Sequence, residues 1–426
     1  MSPVHDDAFS AWLRADTAPL DGLDPDAPLD DLEPLREAVG DARVVAIGES
    51  SHFIEEFARA RHRILRFLVE RCGFTAFAFE YGFSEAFAVD AWARGAGEEA
   101  DLDELAPAAL PVGIHEPLRY LRRYNTRAAR PVQFAGVDIP EAGGSLLPAL
   151  IPVLTYLRET DPAAVPLAEQ AIGIAERFAA PSMPVSAPAW ARLGTADQDA
   201  LSALLMRLST RFRAVEPLYV AHSGQDAYDL ALRRVEGACH TDYTFRAMSE
   251  LFAGKGLPAD TSAREVYMAG SVLWHLEHSA PGTRIVLAAH NAHIQKAPVA
   301  HGSTLSAFPM GQHLHRALGD DYFALGLTST GGDTAEMRLD ENTRFGFAVE
   351  PTPLGSPEPG SIEAAFAAAA PGAGLAALRG APRSSPGPDR IRMQGAYLHT
   401  PVLEAFDGIL HVPESTVFEG LNAFGF

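Results

Sequence analysis

Residues 44–52 have the sequence VVAIGESSH, in which four apolar residues are followed by a glycine, a glutamate and, three positions later, a histidine. A short apolar run that ends in a turn signal is typical of a buried β-strand. Gly48 allows a sharp turn and the close approach of a ligand. Glu49 and His52 would then project from the corner between this strand and the following helix.

The same arrangement occurs three more times along the chain. The apolar runs and the ionisable residues that follow them are residues 74–79 with Glu80, residues 131–137 with Asp138, and residues 285–289 with His290. Helical patterns lie between the runs, which indicates a parallel or mostly parallel sheet. Because ligands bind beyond the carboxyl ends of the strands in open sheets of this kind, the pattern predicts one active site built from four distant stretches.

We predict an α/β protein with a mostly parallel central sheet flanked by helices and with an inserted helical lobe. The lobe is inferred because the helical pattern between the third and fourth runs is too long for a single crossover helix. The predicted parts are an N-terminal part of the α/β core at residues 1–145, the inserted lobe at residues 146–280, and a C-terminal part of the core at residues 281–426. The active site is expected in a cleft between core and lobe.

The composition is that of a globular protein, with 47% hydrophobic residues. A formal net charge of −21 would repel nucleic acid and anionic membranes. Cys72 and Cys239 form neither a disulfide framework nor a zinc-ribbon spacing. No stretch approaches the roughly 20 apolar residues of a membrane span. We therefore predict a cytoplasmic protein with no nucleic-acid or membrane partner, while the charge identifies no substrate and the oligomeric state stays open.

The helix predicted at about residues 53–72 carries an arginine within its apolar stripe. Burial of Arg61 is costly unless the guanidinium is paired or faces a ligand. A structural ion pair explains this position as well as a guanidinium aimed at a carboxylate or at charge developing on a carbonyl oxygen. Other basic residues of the helix lie off the centre of the stripe and are expected at the surface, namely Arg59, His62, Arg63 and Arg66.

The first corner has the residue types needed for general-base chemistry. A carboxylate beside an imidazole orients the ring and raises its basicity, which suits proton transfer near neutral pH. A purely structural role for Glu49 and His52 fits the spacing equally well. Glu80 ends a buried run and needs a partner, for which Arg61 or His52 is the candidate.

Residues 290–293, His-Asn-Ala-His, form the second cluster. Two histidines beside an amide can bind a metal, polarise a carbonyl or protonate a leaving group, although one structural histidine would be unremarkable.

Several common catalytic motifs do not occur in the chain: there is no G-x-S-x-G elbow, H-E-x-x-H, P-loop or G-x-G-x-x-G fingerprint. A hydrolase serine, phosphoryl transfer and nicotinamide chemistry therefore lack their usual sequence support.

Six segments between about residues 44 and 296 carry a family resemblance through their order and spacing. They are residues 48–52, 61–65, 73–80, 134–138, Arg264 with residues 267–269, and residues 289–293. In these segments the chain resembles the erythromycin esterase family, less sharply in its C-terminal third.

The resemblance implies an esterase with a small-molecule ester or lactone substrate, which opens the lactone of macrolide antibiotics and thereby gives antibiotic resistance. It implies no serine nucleophile, no obligatory metal and no cofactor. The general base would be His52, and the other catalytic positions would be Glu49, Glu80, Arg61, His290 and His293. We further predict that Asn291, Asp138 and Arg264 bind the substrate.

The predicted mechanism is the attack of a water molecule, activated by His52, on the ester carbonyl. Glu49 or Glu80 would orient His52, while Arg61 and one of the two later histidines would stabilise the oxyanion or protonate the leaving alkoxide.

One alternative is a biosynthetic lyase, cyclase or transferase that uses the same residues on a polyketide-like substrate. Others are a metal-dependent hydrolase, with Glu49, His52, His290 and His293 as ligands, and a protein that sequesters a hydrophobic natural product without reaction.

Overall fold

The four apolar runs form strands of one sheet in the computed structural model of the protein, which describes residues 8–106, 113–257, 259–301, 305–369, 372–383, 387–421 and 425–426. The strands within these residues are β1 (Ala18–Pro19), β2 (Val44–Ile47), β3 (Ala76–Gly82), β4 (Gln133–Asp138), β5 (Ile285–Ala288), β6 (Val299–His301), β7 (Leu305–Ala307), β8 (Tyr322–Leu339), β9 (Phe347–Pro353), β10 (Gly374–Ala376), β11 (Arg390–Met393), β12 (Ala396–His399) and β13 (Gly408–Ser415).

The helices within the same residues alternate with the strands in the first and last thirds of the chain. They are α1 (Ala8–Asp16), α2 (Glu33–Val39), α3 (Glu55–Cys72), α4 (Ala86–Ala93), α5 (Leu102–Leu105), α6 (His115–Asn125), α7 (Leu147–Thr160), α8 (Val165–Ala175), α9 (Met183–Ala191), α10 (Thr195–Ala214), α11 (Glu216–Ser223), α12 (Gln225–Phe252), α13 (Ala263–Glu277), α14 (Asn291–Ile294), α15 (Met310–Leu318), α16 (Ile362–Ala369) and α17 (Val402–Ala405). Among these helices, none has both the length and the apolar character that a membrane span requires.

Parallel strands form the centre of the larger sheet, in the spatial order β4, β3, β5, β2, β8 and β13. β10 and β1 extend the β13 edge as antiparallel strands, and β9 pairs antiparallel with the last part of β8. The central strands β2 and β5 are buried along their whole length, as expected where helices cover both faces of a parallel sheet. The predicted α/β fold with a mostly parallel sheet is confirmed. A smaller antiparallel sheet has the order β11, β12, β6 and β7.

The register of the central strands aligns their carboxyl ends. Ala288 at the end of β5 lies opposite both Ile47 of β2 and Phe79 of β3. The residues that follow these positions therefore leave the sheet at one edge. Gly48 is required at the β2 corner, because a Cβ atom there would lie 1.9 Å from the side-chain oxygen of Asn291.

Helices α7 to α12 form a layer with hydrophobic clusters of their own. Leu150 and Phe245 belong to one of these clusters, and Phe212 belongs to another. In contrast, α13 places Met268 and Val272 in the cluster that covers one face of the sheet. The segment predicted as a lobe therefore ends with a helix that packs on the core, and the domain boundaries stay a prediction.

Two basic residues of α3 are buried, contrary to the expectation that they lie at the surface. Arg63 is 2% exposed and makes a two-pronged ion pair with Asp31, at 2.8 and 3.0 Å. His62 is also buried, and burial, followed by the charge of Arg66, lowers its pKa to about 4. The helical spacing did not indicate that these two side chains are buried, because it identified one apolar stripe whereas α3 packs on more than one side.

Candidate active site

A cavity of about 330 Å³ lies at the carboxyl ends of the central strands. Its wall holds the following predicted site residues: Glu49, His52, Arg61, Glu80, Asp138, Arg264 and His293. Met183 and Pro184 contribute from the start of α9, and Met337 and Phe347 contribute from the paired strands β8 and β9. The cavity is therefore lined by both charged and apolar side chains.

Glu49 joins His52 to Arg61 in a buried network. One carboxylate oxygen lies 2.8 Å from His52 Nδ1, and the other lies 2.8 Å from Arg61 Nη2. Burial opposes the charged form of Glu49, but Arg61 and the hydrogen bond from His52 hold its pKa below the ordinary carboxyl value. Burial also opposes the imidazolium, yet Glu49 raises the pKa of His52 above the usual histidine value. The His52 side chain remains 33% exposed, at the cavity wall.

Glu80 is paired with cations that the sequence reasoning did not assign to it. Its Oε1 accepts a hydrogen bond of 3.1 Å from Arg264 Nη2 and lies 3.3 Å from His293 Nε2. The expected partners, Arg61 and His52, belong instead to the Glu49 network. Burial opposes ionisation of Glu80, but His293 and then Arg264 hold its pKa well below the ordinary carboxyl value.

Arg264 also holds the third carboxylate. Its Nε and Nη2 donate to the two oxygens of Asp138 at 2.8 and 2.6 Å, and Asp138 is only 1% exposed. The carboxyl ends of β3 and β4 are therefore joined by a single guanidinium that comes from α13 on another layer.

His293 is held in its charged form by two carboxylates. Its Nδ1 lies 2.7 Å from Glu265 Oε1, and its Nε2 faces Glu80. Although burial opposes the charge, Glu265 and Glu80 raise the pKa of His293 to about 10. Sequence reasoning missed Glu265, whose only signal was its place beside Arg264 at the start of α13.

His290 and Asn291 lie behind the cavity wall. His290 is 5% exposed, and its Nδ1 accepts a hydrogen bond of 3.0 Å from the Ala292 N–H. Burial, with His52 and His293 nearby, lowers the pKa of His290 to about 3, so the ring is neutral and Nε2 carries the proton. The Asn291 amide, predicted to bind substrate, is fully buried and instead exchanges two hydrogen bonds with the Leu327 backbone.

The residues considered as metal ligands already take part in hydrogen bonds or ion pairs within the described structure. Among the residues that the structure describes, no three His, Cys, Asp or Glu side chains are arranged to hold a metal ion. Of the four expected donors, Glu49 and His52 bond to each other, His290 uses Nδ1 for a backbone N–H, and His293 uses both nitrogens for carboxylates.

Residues 69–415 match the model of the family described as erythromycin esterase. The chain belongs to the erythromycin esterase family. It is 37% identical to erythromycin esterase type II of Escherichia coli, over 96% of this chain and 99% of that protein. It is 30% identical to erythromycin esterase type I of Escherichia coli, over 90% of this chain and 93% of that protein.

A solved structure of an erythromycin esterase, a variant of EreC in its open conformation, has the same fold. The two structures superpose with a TM-score of 0.86 over 94% of this chain and 97% of that chain, at 28% identity. Erythromycin esterases are carboxylic ester hydrolases, and the chain is an enzyme of this class. The family match includes the Glu80 network and begins after Glu49, His52 and Arg61, which are linked to one another by the contacts described above.

Proposed function

We propose that the enzyme hydrolyses the lactone ester of a macrolide with a water molecule activated by His52, without a serine nucleophile. The observation that carries the proposal is the hydrogen bond between His52 Nδ1 and the buried Glu49, 2.8 Å long. This bond fixes the ring and leaves Nε2 for the substrate side of the cavity, the arrangement that a general base requires. The family relationship and the two relatives named as erythromycin esterases support the choice of substrate.

The proposed reaction begins when His52 Nε2 takes a proton from water as the water oxygen attacks the ester carbonyl carbon. The tetrahedral oxyanion then collapses, and the bond to the alkoxide oxygen breaks. The imidazolium of His52 returns its proton to that oxygen. The product is a single ring-opened molecule that carries a carboxylic acid and a hydroxyl group. Glu49 supports both steps because it stabilises the imidazolium between them.

Arg61 and the later histidines take different roles in this proposal. Arg61 Nη1 has no hydrogen-bond partner among the described residues, and Arg61 lines the cavity, which favours it as the donor to the developing oxyanion. His293 is charged and uses both nitrogens for carboxylates, so it positions Glu80 and supplies positive charge. His290 Nε2 also lacks a partner in the described chain, and its ring centre is 5.1 Å from that of His52. We therefore assign His290 a supporting role behind the base.

Purified enzyme is expected to open a macrolide lactone, which adds the mass of one water molecule to the substrate. Mass spectrometry after incubation with a panel of macrolides and simple lactones measures this directly. The reaction should proceed at the same rate after dialysis against a chelator. Conversion to an isomer without water addition would instead indicate lyase or cyclase chemistry, and binding without conversion would indicate sequestration.

Replacement of Glu49 by glutamine is expected to shift the pH dependence of kcat/KM to lower pH. In the wild type the rate should rise with pH as the imidazolium of His52 loses its proton, at a pKa above the ordinary histidine value. Without the carboxylate the imidazolium is less stable, so the rise of kcat/KM occurs at lower pH. The value of kcat/KM at the high-pH plateau also falls, because the His52 ring is no longer oriented. An unchanged midpoint in the pH profile of Glu49→Gln would contradict the assignment of His52 as the base.

A further inference from the structure

Glu141 differs from the other carboxylates of the cavity. Within the described residues, four carboxylates line the cavity: Glu49, Glu80, Asp138 and Glu141. The first three each lie within ion-pair distance of an arginine, and two of them also contact a histidine. Glu141 makes no ion pair in the part of the chain that the structure describes. Its charge is therefore not used by the catalytic network.

The surroundings of Glu141 leave this charge available to a ligand. The charge of Arg344 acts on Glu141, but this arginine is exposed and lies beyond ion-pair distance in the described structure. Burial raises the pKa of Glu141, since part of its water shell has been removed. A carboxylate that has already lost part of its hydration gains more from a cationic partner than a fully exposed one does.

The backbone at Glu141 is held in a disfavoured conformation. Glu141 has φ 48° and ψ 37°, and Ala142 has φ 48° and ψ 35°, in the left-handed region that residues with a Cβ seldom adopt. The Glu141 N–H donates a hydrogen bond of 2.7 Å to Glu85 Oε1, which holds the backbone of Glu141 in place. Backbone strain of this kind is concentrated at ligand sites.

Neighbouring side chains suit an alkylated amine. Tyr81 lines the same cavity, and its pKa is raised by burial and then by the charges of Glu85 and Glu141. Met183 also lines the cavity and approaches the segment closely, because a Cβ on Gly143 would lie 2.5 Å from the Met183 Cε. An aromatic ring, a thioether and a carboxylate together form a surface that binds a methylated ammonium group.

We infer that Glu141 is a specificity-determining residue that binds a protonated amine of the substrate, such as the dimethylamino group of a macrolide amino sugar. This inference rests on the proposed function, because the amine is placed on a lactone that the enzyme opens. Glu141 contacts a part of the substrate that does not react, so it acts on KM rather than on kcat.

The test compares one macrolide that carries a free tertiary amine with its N-oxide, which has no net charge. Glu141→Gln keeps the size of the side chain and is expected to raise KM for the amine about 10- to 100-fold, with kcat retained and little change for the N-oxide. Glu277→Gln, at an exposed position outside the cavity, removes the same charge and should leave both KM values unchanged. Arg344→Gln removes the competing cation and should lower KM for the amine.

The outcomes separate this inference from the proposed function. If wild-type enzyme opens neither lactone, the proposed function fails and the inference fails with it. If the wild type is active but Glu141→Gln leaves KM for the amine unchanged, or raises KM for amine and N-oxide equally, only the inference is overturned. Circular dichroism of each variant, together with the retained kcat, establishes that the fold is intact.

Discussion

Replacement of His52 by glutamine is expected to lower kcat by about 10²–10⁴-fold, the range for removal of a general base. Glutamine preserves a polar side chain of similar length but cannot accept the proton of water. Glu49 keeps its contact with Arg61, 2.8 Å away, so the buried carboxylate does not lose its counter-charge. The fold and the affinity for substrate should therefore be retained. Single-turnover kinetics and equilibrium binding to the variant measure the two quantities separately.

A matched substitution shows whether the loss of activity is specific to the site. His222 is exposed at the end of α11, so His222→Gln should leave kcat unchanged. Wild-type kcat in a folded His52→Gln variant would refute the mechanism, because no other histidine of the site is poised to cycle between charged and neutral forms. His290 has a pKa of about 3 and His293 of about 10, far from neutrality on either side.

Replacement of Arg264 by methionine is expected to reduce the free energy of unfolding by about 3–5 kcal/mol, the cost of breaking a buried ion pair from one side. The substitution removes three hydrogen bonds to Asp138 and Glu80, whose side chains are 1% and 12% exposed. Within the described residues Asp138 would then lose its ion-pair partner, and Glu80 would keep only His293 as a cation within ion-pair distance. Urea denaturation, with tryptophan fluorescence as the signal, measures the change at neutral pH.

The loss of stability in Arg264→Met should depend on pH. In the wild type the folded-state pKa of Glu80 lies well below the reference value of 4.5, so its contribution is fully present above pH 4.5 and is lost as the pH falls through the folded value. The difference between wild type and variant should therefore be largest at neutral pH and shrink in acid. Arg158→Met, which breaks an exposed pair with Glu169, should cost at most about 1 kcal/mol. Equal losses in the two variants would contradict the buried-network interpretation.

The location of the candidate active site could be predicted from local sequence patterns. Short apolar runs that end in Glu80, Asp138 and His290 mark strand ends, and parallel strands bring their carboxyl ends to one edge. Gly48 was also identifiable, since the corner after β2 needs a residue without a side chain. These features depend on few neighbouring residues, so the linear chain contains the information.

The pairing of charges could not be predicted in the same way. Glu80 and Arg264 are 184 positions apart, and their contact depends on how α13 packs across the sheet. Glu265 was overlooked because an acidic residue at the start of a helix is most often exposed. Arg63 was expected at the surface, yet the chain around Asp31 covers it.

The sequence by itself determined which strands carry chemical groups at their ends and which family the chain resembles. The first depends on short local patterns, and the second depends on the order and spacing of such patterns along the chain. Only the tertiary structure decided the protonation states. His290 and His293 have the same imidazole side chain but different charges. His290 is neutral because it is buried behind the cavity wall near two other histidines, whereas His293 is charged because it lies between two carboxylates. Coulomb interactions in a low-dielectric interior depend on distances of a few ångströms, and those distances are set by packing between layers that are remote in sequence.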